Sequence, residues 1–327
     1  MQNIFDRLYE DIKMKESCVC IGLDPDYFKF PEELRFNKPE NSSNPLRNIS
    51  KTILEFNKTV ISEIYDIVPA IKIQTSYYER YGLDGVKALI ETVKFAKKCG
   101  IIVIEDNKVC EIGKSAENYA NAHMGKVKIS EEIDIPIYDF DIITVNPFFG
   151  LGGIKPLIET AKKENKGLFV VIKTSKPDTT DIQDLMIDAG TDVVLLFEVI
   201  SAIVENENTN NDIGDNGFGI IGAYVDNTFE EYSASIKDIL QTSFIIIPDT
   251  YDTNKDKSQV FSNIIPLFRN DGYGVLINSS KEVLYAYNNP EFNKDGEPYA
   301  KSIRKAVLKM KSTINKELKE NFDIKFF

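Results

Sequence analysis

Eight short apolar segments recur along the chain and alternate with longer segments of helical periodicity. Each is a continuous run rich in β-branched residues, which is typical of strands covered on both faces in a parallel sheet. Strands that alternate with helices form βα units, and this number of units fits an α/β (β/α)8 barrel, the TIM-barrel architecture. The predicted strands are 18–24, 69–74, 101–106, 141–146, 168–174, 219–225, 243–248 and 273–278.

Helices are predicted between these strands. Residues 50–66 and 83–99 place apolar residues at i, i+3, i+4 and i+7, which indicates amphipathic helices. Residues 192–208 contain Val-Val-Leu-Leu-Phe at 193–197, which also fits a strand, but the apolar spacing continues as far as Val204 and favours a helix. A ninth strand would not fit a barrel of eight.

Two polar segments, 29–48 and 205–217, interrupt the pattern and are predicted to be surface loops. Because strands continue at the same spacing after each, we predict one domain over 1–327, with a barrel core over about 1–290. Residues 297–320 are predicted to form a C-terminal amphipathic helix. Its inward-facing residues are predicted to be Ile303, Val307 and Met310.

The charge of the chain argues against two classes of partner. It carries 51 acidic and 39 basic residues, a formal net charge of −12. A surface this negative repels phosphate backbones and anionic lipids, so we expect neither a nucleic-acid nor a membrane partner. A small anionic substrate remains compatible with this charge if lysines gather at one place.

The chain has one histidine, His123, and four cysteines without a C-x-x-C pair. A single histidine argues against a His-rich metal site or a catalytic triad, and we expect His123 to be a surface or helix residue. This cysteine usage favours a reduced, cytoplasmic protein. The N-terminal MQNIFDRLYEDIK does not fit a signal peptide, and no apolar run approaches the ~20 residues that span a bilayer.

Polar residues gather where the predicted strands end, and that end of a (β/α)8 barrel carries the chemistry. Lys72 lies inside a strand, where a charge is costly unless it is paired. The run 105–113 alternates acidic and basic residues, which would suit an aimed, protonated lysine but equally a solvated loop. Other candidates at strand ends are Asp24, Asn146, Thr174, Ser175, Asp226, Asp249, Ser280 and Lys281.

Six segments carry motifs in a fixed order: CIGLDPD (20–26), KIQTSYYE (72–79), DNKVCEIGKSA (106–116), TVNPFFG (144–150), KGLFVVIKTSKP (166–177) and INSSKEVLYA (277–286). In order and spacing, over about residues 1–290, the chain resembles the longer bacterial branch of the orotidine 5′-phosphate decarboxylase family. The resemblance implies a homodimeric barrel with shared active sites. Such an enzyme removes CO2 from orotidine monophosphate (OMP) to give UMP, without a metal or cofactor.

The resemblance also implies residue roles. Lys108 would protonate the carbon that loses CO2, within a network that contains Lys72 and Asp106. Glu111 stands where the family's second catalytic aspartate crosses the dimer interface, so the catalytic set is Lys72, Asp106, Lys108 and Glu111. The substrate-binding set is Asp24 near the ribose, Ile112 and Ser115 in the partner's site, Ser175 at the pyrimidine and Lys281 at the phosphate.

Three positions depart from the family pattern. Glu111 replaces the last aspartate of D-x-K-x-x-D, and a shift of about 1 Å in a catalytic group can cost about 100-fold in rate. Residues 248–255, PDTYDTNK, replace a glycine-rich phosphate loop and bring carboxylates that oppose phosphate binding. Lys281 replaces an arginine and loses its bidentate geometry.

These departures leave a second interpretation open beside the decarboxylase. The chain would then be a catalytically impaired or re-purposed barrel, which either serves a binding role or decarboxylates another ligand.

Overall fold

The computed structural model of the chain describes residues 2–35, 43–175, 177–190, 192–211, 213–226, 230–248, 257–294 and 297–322. Among these residues, no helix combines the length and the apolar character needed to cross a bilayer.

Eight parallel strands close into a barrel, as the apolar segments predict. The first and last strands pair directly, with Val19 opposite Ile277, so the barrel has no free edge. The barrel strands are β1 (Val19–Leu23), β2 (Ala70–Gln74), β3 (Ile102–Val109), β6 (Ile142–Val145), β7 (Gly167–Lys173), β10 (Ile221–Val225), β11 (Ile245–Ile247) and β12 (Val275–Ser279), and four short strands outside the barrel account for the missing numbers.

Two antiparallel ribbons lie outside the barrel. One joins β4 (Val127–Lys128) to β5 (Asp134–Ile135), and the other joins β8 (Met186–Asp188) to β9 (Val193–Leu195). The second ribbon corrects the prediction of one helix over 192–208. Residues 193–195 of this segment form β9, because they hydrogen-bond to β8. The helix therefore begins only at Leu196.

Helices cover the outside of the barrel. The predicted helices over 50–66 and 83–99 are present as α2 (Pro45–Ile64) and α4 (Gly82–Lys98). At the start of α2, the Asn44 side chain accepts a hydrogen bond from the Arg47 backbone amide at 3.0 Å, and Pro45 occupies the first turn. The helices up to the last barrel strand are α1 (Ile4–Lys15), α2 (Pro45–Ile64), α3 (Ser76–Glu79), α4 (Gly82–Lys98), α5 (Gly113–His123), α6 (Gly150–Glu164), α7 (Thr180–Gln183), α8 (Leu196–Thr209), α9 (Glu230–Ile239) and α10 (Lys257–Ile264), with α11 (Lys281–Leu284) and α12 (Tyr299–Asn321) after it.

The N-terminal helix α1 closes the amino-terminal end of the barrel. Phe5 packs edge-on against Phe169 at 5.3 Å and stacks on Phe244 at 5.6 Å between ring centroids. Gly167 leaves room for this contact, since a Cβ there would lie 2.9 Å from a side-chain carbon of Ile4. This packing covers the amino-terminal end of the barrel, whereas ligands of such barrels bind at the carboxyl end of the strands.

The C-terminal helix α12 confirms the prediction for 297–320 to within two residues at the start. Ile303, Val307 and Met310 are fully buried, as expected for its inward face.

The polar segments are only partly loops. Residues 205–209 belong to α8, and Asn208 is buried with its side chain bonded to both backbone groups of Ile221, at 2.7 and 3.0 Å. The prediction of a surface loop over 205–217 is therefore wrong for these residues, because this asparagine replaces a strand partner for the start of β10. In the other segment, 29–48, the loop prediction is wrong for residues 45–48, because Asn44 caps the helix α2 that begins at Pro45. Residues 36–42 of this segment lie outside the described residues.

Candidate active site

Lys72 and Asp106 form a buried ion pair inside the carboxyl end of the barrel. Strand register places Lys72 beside Gly22 and places Asp106 beside Gln74. The Lys72 ammonium lies 3.0 Å from Asp106 Oδ2 and 3.8 Å from Asp24 Oδ1. The sequence-predicted residues Asp24, Lys72 and Asp106 therefore come together as one cluster.

The charges of this cluster are mutually stabilised. Burial alone lowers the pKa of Lys72, but the carboxylates of Asp24 and Asp106 outweigh burial and hold that pKa above its ordinary value. Burial likewise raises the pKa of Asp106, but Lys72 and Lys108 outweigh it and hold the pKa below its ordinary range. Both side chains of the central pair are therefore charged at neutral pH.

Lys108 joins the cluster through an irregularity in β3. The pairing of β3 with β6 shifts register between Glu105 and Val109, and Lys108 adopts a left-handed backbone conformation with φ of 55°. The irregular backbone turns the side chain back toward the mouth, where Nζ lies 2.5 Å from Asp106 Oδ1. About a third of the Lys108 side chain, 35%, remains exposed at the mouth.

Two residues without a predicted role support this geometry. Thr144 Oγ1 accepts hydrogen bonds from the backbone amides of Asn107 and Lys108, at 3.0 and 2.8 Å, and donates to Asp106 Oδ1 at 3.3 Å. With its amide nitrogen turned to Asp106, Gln74 donates to the carbonyl at 2.7 Å and to Oδ2 at 3.1 Å. Both lie in the motif segments, but sequence order alone does not show that they face Asp106.

The wall beside Lys72 is shaped by a glycine and by polar residues in and directly after β12. A Cβ on Gly22 would lie 2.0 Å from Ser280 Oγ, so only glycine fits between β1 and β12 here. Asn278 is fully buried, and its side-chain oxygen has no hydrogen-bond partner among the described residues. Oδ1 of Asp24 likewise has no hydrogen-bond partner among the described residues. This wall therefore offers two acceptors to a ligand that carries donors.

Glu111, Ile112 and Ser115 do not reach this cluster within one chain. They lie in the connection from β3 to α5 and in the first turn of α5. Ile112 is 56% exposed, Ser115 is exposed and Glu111 is half-buried. Among the described residues of the chain, Glu111 forms no ion pair with Lys72 or Lys108.

Ser175 and Lys281 lie at the rim of the mouth. Ser175 Oγ donates to Asp226 Oδ2 at 2.6 Å, which connects the end of β7 to the end of β10. Lys281 is exposed at the start of α11, directly after β12, and has no ion-pair partner among the described residues. Residues 249–256, which include Asp249, Asp252 and Lys255, lie outside the described residues.

The histidine lies behind the site, and its position corrects part of the prediction. His123 is in α5, as the helix prediction allows, but it is buried rather than at the surface. Its Nδ1 lies 2.7 Å from Oε1 of the fully buried Glu105, and its ring stacks on Tyr138 at 4.7 Å. Because Glu105 and Asp106 are consecutive in a strand, Glu105 faces the helices while Asp106 faces the mouth.

No group of three or more His, Cys, Asp or Glu side chains in the described ranges is placed to hold a metal ion. What the cluster offers is an alternating array of ammonium and carboxylate groups around an open end. Such an array can stabilise developing negative charge on a ligand and then deliver a proton to it.

The amino-acid sequence of the chain matches a known protein family. The family model for orotidine 5′-phosphate decarboxylase / HUMPS matches residues 17–230. Orotidine 5′-phosphate decarboxylase of Caldicellulosiruptor saccharolyticus is 33% identical over 316 residues, covering 94% of this chain and 98% of that protein.

Solved structures agree on the fold. OMP decarboxylase of Leishmania donovani superposes with a TM-score of 0.70 at 22% identity, over 97% of this chain and 99% of that one. The enzyme of Methanocaldococcus jannaschii, complexed with the inhibitor BMP, gives a TM-score of 0.53 at 17% identity, over 88% and 97%. The chain therefore belongs to the orotidine 5′-phosphate decarboxylase / HUMPS family.

Proposed function

We propose that this protein is a decarboxylase that converts orotidine 5′-phosphate to UMP and CO2 in pyrimidine synthesis. The observation that carries the proposal is the Lys72–Asp106–Lys108 array at the open end of the barrel. Membership of the family supports the same reaction class. The interpretation as a re-purposed barrel has less support, because the three central charged groups are present and paired.

The reaction leaves an electron pair on the ring carbon that loses CO2. In our proposal, the Lys108 ammonium lies beside that carbon, stabilises the developing negative charge and donates its proton there. Its nitrogen then takes a proton from water. Asp106 stays ionised through Lys72 and holds Lys108 in place. The chain supplies position and charge, and the carbon–carbon bond electrons remain on the ring.

We also propose that the active site is completed by a second copy of the chain. Ile112 and two neighbouring aromatic residues, Phe148 and Phe149, expose 56%, 74% and 50% of their area at the rim of the mouth. An apolar group of this kind suits a protein contact. Glu111 lies beside it and forms no ion pair with the described residues of its own chain, and we propose that it reaches Lys72 and Lys108 of a second copy.

Lys281 is the residue that we propose for the phosphate contact. Lys281 lies at the strand end where a phosphate-binding cation is expected, and it is exposed. A lysine binds phosphate as a single charge, so we expect weaker binding than an arginine would give. Measured affinity for UMP in wild type and in Lys281→Arg tests this contact, and tighter binding by the variant is the expected result.

The proposed reaction is tested by following the ultraviolet absorbance of orotidine 5′-phosphate with purified protein. We expect turnover by wild type and a loss on the order of 1000-fold in kcat for Lys108→Ala, the range that a general acid contributes. Lys94→Ala removes an exposed lysine of α4 and should leave kcat unchanged. A folded wild-type dimer without turnover would overturn the proposal, and stabilisation by UMP would then separate a binding role from a different ligand.

A further inference from the structure

Tyr224 lies inside the barrel mouth against the proposed proton donor. It belongs to β10 and is only 7% exposed. Residues two apart on a strand share a face, and a Cβ on Gly222 would lie 2.6 Å from the interior ring of Phe169. Gly222 and Tyr224 therefore both face the barrel interior, and the Lys108 ammonium lies 4.8 Å from the centroid of the Tyr224 ring.

This contact adds a second neighbour to the Lys108 ammonium. On one side, Asp106 Oδ1 holds its ammonium at 2.5 Å. On the other side lies the ring face of Tyr224, whose quadrupole attracts a cation over its centre. The two contacts come from β3 and from β10, which are not adjacent in the barrel. They fix the direction of a side chain that otherwise has four rotatable bonds and a third of its surface in solvent.

Asp106 alone does not define that direction. It also bonds Lys72 and Thr144, and one hydrogen bond leaves the Lys108 ammonium free to swing about the carboxylate oxygen. A flat ring on the opposite wall removes this freedom without competing for the proton, because a ring face is not a proton acceptor of comparable strength. It also occupies space into which the ammonium would otherwise withdraw from a ligand.

We propose that Tyr224 is a positioning residue that holds the Lys108 ammonium in the direction of the ligand carbon. Its kinetic consequence rests on the proposed decarboxylase function, whereas the contact itself does not. In this proposal the aromatic ring face positions the ammonium. A phenylalanine at 224 should therefore preserve the positioning, whereas an aliphatic side chain of similar size should not.

The kinetic test compares the full-length Tyr224→Phe and Tyr224→Leu variants with wild type. We expect Tyr224→Leu to lower kcat about tenfold or more and Tyr224→Phe to retain at least about a third of it, since misdirected catalytic groups cost rate rather than binding. KM and the affinity for UMP should change less than about twofold in both variants. Equal kcat values for the two variants would overturn the proposal.

A control separates positioning from general loss of stability. Tyr273→Leu removes a buried tyrosine at the amino-terminal end of the barrel, where it packs on Tyr9 at 4.8 Å. It should lower the melting temperature comparably to Tyr224→Leu and leave kcat unchanged. If Tyr273→Leu lowers kcat as much, the effect of Tyr224→Leu is one of stability and the proposal is wrong.

A second readout does not depend on turnover. With 13C-labelled lysine, the ε-methylene protons of Lys108, assigned by their loss in Lys108→Arg, should resonate upfield because the ammonium next to them lies 4.8 Å from the ring centroid of Tyr224. The upfield shift should persist in Tyr224→Phe and disappear in Tyr224→Leu. If wild type lacks turnover but shows this pattern, the decarboxylase proposal fails and the contact stands. An unchanged shift in Tyr224→Leu overturns the positioning role.

Discussion

The barrel carries a lysine–aspartate network at each end, and only one of them is open. At the amino-terminal end, Lys97 and Lys166 pair with Asp139 and Asp141 at 2.7 to 3.2 Å. Asp141 also accepts the backbone amide of Val103 at 3.0 Å. These groups bond one another and the backbone, so the network joins the starts of β3, β6 and β7. It leaves little hydrogen-bonding capacity for a ligand.

The network at the mouth uses the same residue types differently. Asp24 Oδ1 has no hydrogen-bond partner among the described residues, and the Lys108 side chain is a third exposed. Its left-handed backbone is a strained conformation that the surrounding structure maintains. An ion network that leaves polar groups unsatisfied at a concave surface is suited to binding, whereas a closed network stabilises the fold. We therefore expect a lysine substitution at the mouth to lower kcat, and an equivalent substitution at the amino-terminal end to lower stability.

The largest effect is expected for Lys72→Met at the mouth. It leaves Asp106 without its most buried counter-charge and lets Lys108 move, so kcat should fall on the order of 1000-fold, the scale of losing an aligned proton donor. Steady-state decarboxylation measures this. Lys166→Met is the matched control and should keep kcat within about threefold. A Lys72→Met enzyme within tenfold of wild type would remove the distinction between the two networks.

The next effect is a loss of stability for Lys166→Met at the amino-terminal end. Removing one partner of a buried pair leaves two carboxylates poorly compensated, and the free energy of unfolding should fall by about 2–4 kcal/mol. Urea unfolding measures it, with Lys94→Met on the exposed face of α4 as a control that should stay within about 0.5 kcal/mol. We also propose that the chain unfolds in one transition as a single domain, because β1 and β12 close the barrel. Two transitions would contradict that.

A smaller effect concerns acid stability. Burial raises the pKa of Asp139, but hydrogen bonds and charges from Lys97 and Lys166 outweigh it and hold the pKa below its ordinary value. The stabilisation from this carboxylate is therefore complete above its unfolded pKa near ~4 and is lost as pH falls through the lower folded value. Between about pH 5 and pH 2, the unfolding free energy of Asp139→Asn should change less than that of wild type. The difference should be about 1 kcal/mol or less, since the side chain is partly exposed. An unchanged slope would contradict this account.

The smallest effect concerns Glu111, which we propose reaches the mouth of a second copy of the chain. Glu111→Asp shortens the side chain to the length usual in D-x-K-x-x-D and should raise kcat/KM severalfold, within the roughly 100-fold that a 1 Å displacement can cost. A fall in kcat/KM would show that the loop after β3 has adjusted to glutamate. Lys114→Ala, an exposed residue of the same region paired with Glu117, provides a control for changes in that loop.

The sequence predicted the barrel because burial on both faces imposes a continuous apolar run on every strand. It failed at residues 193–195, whose strand and helix patterns overlap, since only pairing with residues 186–188 selects the strand. It also failed for Asn208, where a polar side chain is buried because it bonds a strand backbone. Local pattern does not contain such long-range partners.

Within the site, the sequence placed Lys72, Asp106 and Lys108 correctly at the mouth because strand ends meet there in any such barrel. Thr144, Gln74 and Tyr224 escaped prediction. Each lies in or beside an apolar strand segment, and its significance depends on which face of the barrel it occupies and on what stands across the mouth.

The sequence by itself determined the number and order of the strands, the alternating charges after β3 and the family to which the chain belongs. These follow from hydrophobic periodicity and from motifs that are local in the chain. The tertiary structure alone decided which of two similar ion networks is closed and which is open to a ligand. Hydrogen-bond satisfaction and the direction of a lysine side chain depend on groups from distant strands, and these meet only when the barrel closes.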